Sequence, residues 1–133
     1  MATVVDVLRR ARQLIERGWV QGPFAITKDG THCSPTLKCA SAFCAAGARD
    51  RACHELAGSD LFVAVSARNL LNKSAESLGS PSYIHFNDKP GRTKGEVLEM
   101  FDKAIAIAQP DVQPSSTQRL AFVTPIVSES LAK

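Results

Sequence analysis

The chain has 133 residues, of which 44% are hydrophobic and 22% are charged, and both fractions are close to those of ordinary globular proteins. This composition excludes collagen-like, disordered and coiled-coil chains, and the length suits one domain. Sixteen Lys and Arg against thirteen Asp and Glu give a net charge of +3, a surplus too small to indicate a nucleic-acid binder.

The first predicted element is an amphipathic helix that starts at Val4. Apolar residues recur every three or four positions, as on one face of a helix: Val4, Val7, Leu8, Ala11, Leu14 and Ile15. Thr3 is a suitable N-cap, with Asp6 in the position of a capping box. Gly18 is expected to end the helix in the left-handed conformation. The helix also carries four arginines, which we interpret as a solvated face with weak nucleic-acid binding as the alternative: Arg9, Arg10, Arg12 and Arg17.

A small β-hairpin is predicted next, with strands at Phe24–Thr27 and Thr31–Cys33. Lys28-Asp29-Gly30 joins them, because Asp-Gly accepts the positive φ of a tight turn at low cost.

Ser34-Pro35 then has the form of an N-cap followed by proline at the first helical position. We therefore predict a second helix from Pro35 to Ala57, ended by Gly58. Its many small residues allow close backbone approach, which is typical of a crowded central helix. Ser59 is expected to cap a third helix over residues 60–74, although its first residues would also suit a buried strand.

Residues 77–92 are predicted to form a loop before the last helix. Asn87 and Asp88 favour Asx turns, and Pro90-Gly91 favours a tight turn. Thr93-Lys-Gly-Glu96 is a capping box that starts a helix with regularly spaced apolar residues. Pro110 is expected to end that helix.

The predicted fold is a single α+β domain, mainly α, with about four helices and a small β-hairpin. We place a helical domain at residues 1–109 and a C-terminal tail or arm at residues 110–133, where Pro, Ser and Thr are frequent. The tail is expected to be partly disordered, or to pack on the domain or on a neighbouring subunit, so homo-oligomerisation through it stays open.

The sequence favours a cytoplasmic location. Charged residues interrupt the N-terminal segment before it could resemble a secretory signal, and no apolar run approaches the length of a membrane helix. We therefore expect no membrane partner.

The four cysteines, Cys33, Cys39, Cys44 and Cys53, are spaced by six, five and nine residues. Zinc sites normally use pairs two to four residues apart, so we predict no metal, and no other motif calls for a cofactor. Cys33 beside His32 could be a nucleophile and base, but neighbours in an extended chain point to opposite faces. Buried structural thiols are the preferred interpretation.

The most distinctive polar segment is residues 85–93, where several polar side chains precede a helix N-terminus: His85, Asn87, Asp88, Arg92 and Thr93. Free backbone amides at such a terminus favour anions, which suggests a binding site. Turn formation and capping would explain the same residues without any ligand, and this structural interpretation is the favoured one.

Three segments together resemble a family of small bacterial and phage proteins of unknown function. They are residues 7–22 with Gly-Trp-Val-Gln-Gly at their end, residues 43–48, and Phe86-Asn-Asp-Lys-Pro-Gly-Arg-Thr-Lys-Gly-Glu-Val. Phe86 occupies the position where that family usually has tryptophan. The resemblance implies a mainly helical domain and no particular activity. It directs attention to ten residues of the three motifs: Trp19, Gln21, Gly22, Cys44, Gly47, Asn87, Asp88, Gly91, Arg92 and Thr93. Trp19 is thereby a further candidate binding residue.

These observations favour a non-enzymatic binding or accessory protein, with phage or mobile-element origin as a hypothesis. A protein partner or a small anionic ligand would bind at a surface centred on residues 87–93, with residues 19–22 nearby if the first and last helices pack antiparallel. Nucleic acid is not expected. The alternative is a small enzyme that uses His85, Asp88 or Cys44.

Overall fold

The helices dominate the computed structural model, which describes residues 2–109. It contains five helices within that range, α1 (Val4–Arg17), α2 (Ala45–Leu56), α3 (Leu61–Ser77), α4 (Tyr83–Asp88) and α5 (Lys94–Ala108). Three two-residue strands complete it, β1 (Ala25–Ile26), β2 (His32–Cys33) and β3 (Ala42–Phe43). The predicted class, mainly helical α+β in a single domain, is therefore confirmed. The predicted tail at residues 110–133 lies outside the described residues.

The first and last helices begin as their sequences predict. The Thr3 side chain accepts a hydrogen bond from the Asp6 amide, and the Asp6 carboxylate accepts one from the Thr3 amide. Thr93 and Glu96 form the same reciprocal pair at the start of α5. Each box satisfies two backbone donors that a helix N-terminus leaves without partners.

The core lies between α1 and the helices packed around it. The apolar face of α1 is buried, and the helix contacts α2, α3 and α5. Ion pairs across these contacts use the predicted solvated arginines: Arg10 meets Glu55 of α2 at 2.6 Å, and Arg12 meets Asp102 of α5 at 2.6 Å. Arg10 and Arg12 therefore connect α1 to its neighbours. They do so because α2, α3 and α5 pack around more of α1 than its apolar stripe suggests.

The sheet has the order β2-β1-β3 and is antiparallel throughout. Ala25 of β1 pairs with Cys33 on one side, as the predicted hairpin requires, and with Phe43 on the other. The third strand was not predicted, because residues 42–43 were assigned to the second helix and no turn signal such as Asp29-Gly30 marks them.

The predicted helix from Pro35 to Ala57 is wrong over residues 35–44, nearly half of its length. Residues 34–41 form turns, in which the Leu37 amide donates to the Ser34 carbonyl at 3.2 Å. Arg51 of α2 donates to the carbonyls of Pro35 and Leu37, at 2.9 Å each, so the turns are held by α2. Hydrogen bonding to α2 and to the sheet thus replaces the helical bonds that Ser34-Pro35 predicted.

The second helix begins after Cys44, whose Sγ accepts from the Gly47 amide at 3.4 Å. Gly47 is required there because a Cβ atom would lie 1.8 Å from the Phe24 carbonyl oxygen. The close backbone approach predicted for this helix is therefore present. It occurs between Gly47 of α2 and Phe24, the residue before β1.

Gly18 ends α1 for a different reason than expected. Its φ of −170° is extended, and its cap geometry is not left-handed. A Cβ atom at this position would lie 2.4 Å from the Ser41 carbonyl oxygen. The residue is small because the turn before β3 passes close to it.

Two further corrections concern α3 and α4. Asp60, rather than Ser59, caps α3 by accepting from the Val63 amide at 3.2 Å. The predicted loop at residues 77–92 contains α4, whose N-cap is Ser82. Within residues 2–109, no helix has both the length and the apolar character needed to cross a membrane.

Candidate functional site

The site is built around α4, which has six residues and depends on tertiary contacts for its stability. Ser82 caps it by accepting from the His85 amide, and Asn72 of α3 accepts from the Tyr83 amide at 3.1 Å. Tyr83, Phe86 and Asn87 are buried, at the three- and four-residue spacing of a helix face. His85 and Asp88 therefore remain on the exposed side.

Asn87 has all of its side-chain hydrogen-bonding groups engaged and is only 1% exposed. Its Oδ1 accepts from the Trp19 indole at 2.8 Å and from the Ala45 amide at 3.0 Å. Its Nδ2 donates to the Val20 carbonyl at 3.3 Å and to the Asp88 carboxylate at 2.8 Å. A buried amide that is satisfied in this way fixes the relative positions of α4, α2 and the segment after α1.

The segment after α1 runs along the end of α4 and is bonded to it residue by residue. Gln21 donates from Nε2 to the carbonyls of Asn87 at 3.0 Å and Lys89 at 2.7 Å. The Gly22 amide donates to Asp88 Oδ1 at 3.0 Å, and Gly22 has a φ of 98°, which favours glycine. We call these contacts between residues 19–22 and 87–89 the junction.

Arg92 packs against the other side of α4. Its guanidinium lies over the Phe86 ring, with 3.6 Å from Cζ to the ring centroid, and its Nε donates to the Phe86 carbonyl at 2.6 Å. Glu96 lies 3.6 Å from Arg92 and forms an ion pair. A planar, charged group can stack and donate at once, which explains why arginine suits this position.

A cleft of about 460 Å³ opens beside these contacts. One wall comes from the segment between α3 and α4, and the other from α4 and the turn before α5. The residues that line it are Leu78, Gly79, Ser80, Pro81, His85, Asp88, Lys89, Pro90 and Arg92. Sites for small ligands commonly have volumes of roughly 300–1,000 Å³, so the cleft is large enough for one.

The structure divides the six predicted binding residues into two groups. Three line the cleft: His85, Asp88 and Arg92. The other three support it: Trp19 and Asn87 belong to the junction, and Thr93 caps α5. Asp88 connects the two groups, since it lines the cleft and also accepts hydrogen bonds from the Gly22 amide and from Asn87 Nδ2.

Sequence reasoning missed the wall formed by Leu78–Pro81 and the contribution of Lys89. Gly79, with a φ of 88°, and Pro81 mark this wall as a fixed turn, but nothing in the sequence places it opposite residue 88. Lys89 belongs to the motif at residues 85–93, and its positive charge was the feature that could have identified it as a binding residue.

The expectation of buried thiols is correct for Cys44 and Cys53 but wrong for Cys39, which is exposed, and Cys33, which is half-buried. Burial raises the pKa of the Cys44 thiol, so the thiol stays protonated near neutral pH, the opposite of what a cysteine nucleophile needs. Cys33 lies in a strand, and the helix expected to follow it is absent. Residues 2–109 contain no cluster of three His, Cys, Asp or Glu side chains that could hold a metal ion.

A family of unknown function (DUF6197) matches residues 1–107, which includes every residue of the junction and the cleft. The chain belongs to this family. This match confirms the prediction that the chain belongs to a family of unknown function. Comparison with curated proteins and with solved structures gives no match. The DUF6197 match ends next to the last residues of α5.

Proposed function

We propose that this DUF6197 protein is a non-enzymatic binding module whose cleft takes a small ligand with an anionic group and an apolar part. The observation that carries the proposal is the lining of the cleft. Lys89 and Arg92 carry positive charge, His85 offers its ring nitrogens for hydrogen bonding, and the apolar surface comes from Leu78, Pro81 and Pro90. Asp88 is the only carboxylate in that lining, and its Oδ1 already accepts from the Gly22 amide and from Asn87 Nδ2. Arg92 is paired with Glu96, so Lys89 is the cation that an anion in the cleft would meet first.

The proposal favours a small ligand over a protein partner because the binding surface is concave. The junction and the Arg92 stack hold the cleft residues in place before a ligand arrives, which lowers the entropic cost of binding. Nucleic-acid binding through α1 is disfavoured, since Arg10 and Arg12 are paired with Glu55 and Asp102. No cofactor or metal forms part of the proposal.

An enzyme with a polar site at residues 85–93 remains the alternative hypothesis. His85 and Asp88 both line the cleft, but Ser82, whose hydroxyl lies 3.3 Å from His85 Nδ1, already caps α4. A cytoplasmic location is part of the proposal and is supported by four free thiols. Bacterial or phage origin is a hypothesis that rests on the motif resemblance alone.

The proposal is tested by titrating the full chain with inorganic phosphate and with phenyl phosphate, followed by NMR of the backbone amides. We expect both probes to shift the amides of residues 78–92, and phenyl phosphate to bind more tightly because it also contacts the apolar wall. Lys89→Gln should weaken binding about three- to tenfold. Lys103→Gln removes the same charge from an exposed position on α5 and should leave binding unchanged.

Two results would contradict the proposal. One is the absence of shifts in residues 78–92 at tens of millimolar of either probe. The other is equal weakening by Lys89→Gln and Lys103→Gln, which would indicate a nonspecific response to net charge. Turnover of phenyl phosphate during the titration would favour the enzyme alternative instead.

A further inference from the structure

An apolar surface lies at the opposite end of the molecule from the cleft. Leu61 and Phe62, at the start of α3, are each 76% exposed. Val65 is 41% exposed. It lies four residues after Leu61 and three after Phe62, so the three side chains share one face of the helix. Leu56, at the end of α2, is 42% exposed. We call these four residues the α3 patch.

The α3 patch has a defined extent, because the following helical turn is polar. Arg68 and Asn69 are exposed, and Arg68 donates to the Asn69 side chain at 3.3 Å. Clustered apolar side chains that remain in water are unfavourable, by about 25 cal/mol for each Å² of apolar surface. Something that covers this patch would therefore stabilise the protein.

The described chain ends at the same end of the molecule as the patch. Gln109, which follows α5, accepts a hydrogen bond from Arg9 at 3.2 Å. The next residue of α1, Arg10, pairs with Glu55, which directly precedes the patch residue Leu56. Arg9 therefore contacts the last described residue of the chain, and the adjacent Arg10 contacts the residue before the patch. Both the end of α5 and the patch lie close to the same turn of α1.

The sequence beyond residue 109 contains apolar residues at a suitable distance along the chain. Leu120-Ala-Phe-Val and Pro125-Ile-Val stand within an otherwise polar stretch. Leu120 follows Gln109 by eleven residues, and an extended chain of that length reaches about 36 Å, longer than any of the helices. The reach is therefore sufficient for contact within the same molecule.

We propose that residues 120–127 of the same chain cover the α3 patch. A segment tethered close to its binding site has an effective concentration near the millimolar range, so a few apolar side chains can hold it. A second copy of the chain is a poorer occupant, since a stable dimer buries roughly 800 Å² on each partner. Four partly exposed side chains provide less than this.

The test is hydrogen–deuterium exchange of the full chain, with peptides that contain residues 120–127 resolved by mass spectrometry. We expect these amides to exchange about tenfold more slowly than in an isolated peptide of the same sequence. Phe62→Asp, an exposed position that can change without disturbing the core, should remove the protection. Ile84→Asp is the matched control, because Ile84 is 47% exposed on α4 and should leave the protection unchanged.

The reciprocal variant Phe122→Asp should also remove the protection and should increase the binding of an apolar dye in proportion to the uncovered patch. Exchange at the rate of the free peptide in the wild type, or protection that survives Phe62→Asp, would overturn the proposal. Protection that disappears on dilution, with a dimer in light scattering, would overturn it in favour of a second copy.

Discussion

The Trp19 indole donates to Asn87 Oδ1 at 2.8 Å and joins two segments that are 68 residues apart in the chain. The same oxygen accepts from the first amide of α2, so one side chain connects three parts of the fold. Both residues were predicted as binding residues. Their geometry gives them a positioning role, in which they hold Asp88 and the cleft.

The junction should tolerate no change of Asn87 that removes its donor group. Asn87→Asp keeps the size of the side chain but places a carboxylate beside Asp88 and the Val20 carbonyl, where the amide now donates. We expect a loss of about 3 kcal/mol in the free energy of unfolding, measured by urea denaturation. Asn69→Asp, at an exposed position of α3, should change it by less than about 0.5 kcal/mol. Equal effects at the two positions would contradict the role of Asn87.

Two glycine substitutions should act in opposite directions. Gly47→Ala would place a Cβ atom 1.8 Å from the Phe24 carbonyl oxygen, so the sheet or α2 must move. We expect destabilisation of about 3 kcal/mol or failure to fold. Gly95→Ala lies in an exposed turn of α5 with 3.9 Å to its nearest neighbour, and should stabilise by up to about 1 kcal/mol. Thermal melts of both variants check the pair, and a stabilising Gly47→Ala would refute the close contact.

The Arg92 stack should require a guanidinium and not merely a positive charge. Arg92→Lys retains the charge but loses the planar group over Phe86 and the Nε donor to its carbonyl. We expect a loss of about 1–2 kcal/mol in stability. Arg68→Lys, at an exposed position of α3, serves as the control in the same urea titration. A loss of the same size at both positions would argue against the stack.

Glu55 should make stability depend on acid pH. Hydrogen bonding to Arg10, with a further contribution from Arg51, holds the pKa of Glu55 below its ordinary value near 4.5. Because the folded-state pKa is the lower one, the stabilisation is present above about pH 4.5 and is lost as the pH falls through the folded value.

We therefore expect Glu55→Gln to lower stability by about 1 kcal/mol at pH 7 and to match the wild type well below pH 4. Urea titrations at several pH values measure this difference. Glu76→Gln, an exposed position on α3, is the matched control in the same titrations. A Glu55→Gln deficit that persists unchanged at pH 3 would rule out the ion pair as its cause.

The helices that carry strong local signals were predictable from the sequence. Thr3 with Asp6, and Thr93 with Glu96, are capping boxes whose energetics are local, so their helices began where expected. The start of α2 was not predictable in the same way. Ser34-Pro35 has a better capping signal than Cys44, but carbonyl contacts from Arg51, sixteen residues away from Pro35, decide the outcome.

The proximity of residues 19–22 to residues 87–89 was predictable from antiparallel packing of the first and last helices, but the helix α4 and the cleft were not. The motif at residues 85–93 identified three of the residues that line the cleft. The helix α4 was missed because Asn87 and Asp88 favour turns in isolation, and their side chains instead find partners in the segment at residues 19–22. Such long-range hydrogen bonds leave no trace in local periodicity.

The junction also bears on how this protein folds. Its contacts require the closure of a loop of more than sixty residues, which is entropically costly until α1 and α5 have packed together. Trp19 is the only tryptophan in the chain, and its indole is bonded within the junction. Its fluorescence should therefore follow the arrival of α4 rather than the collapse of the helices, which gives a refolding experiment a natural probe for the last step.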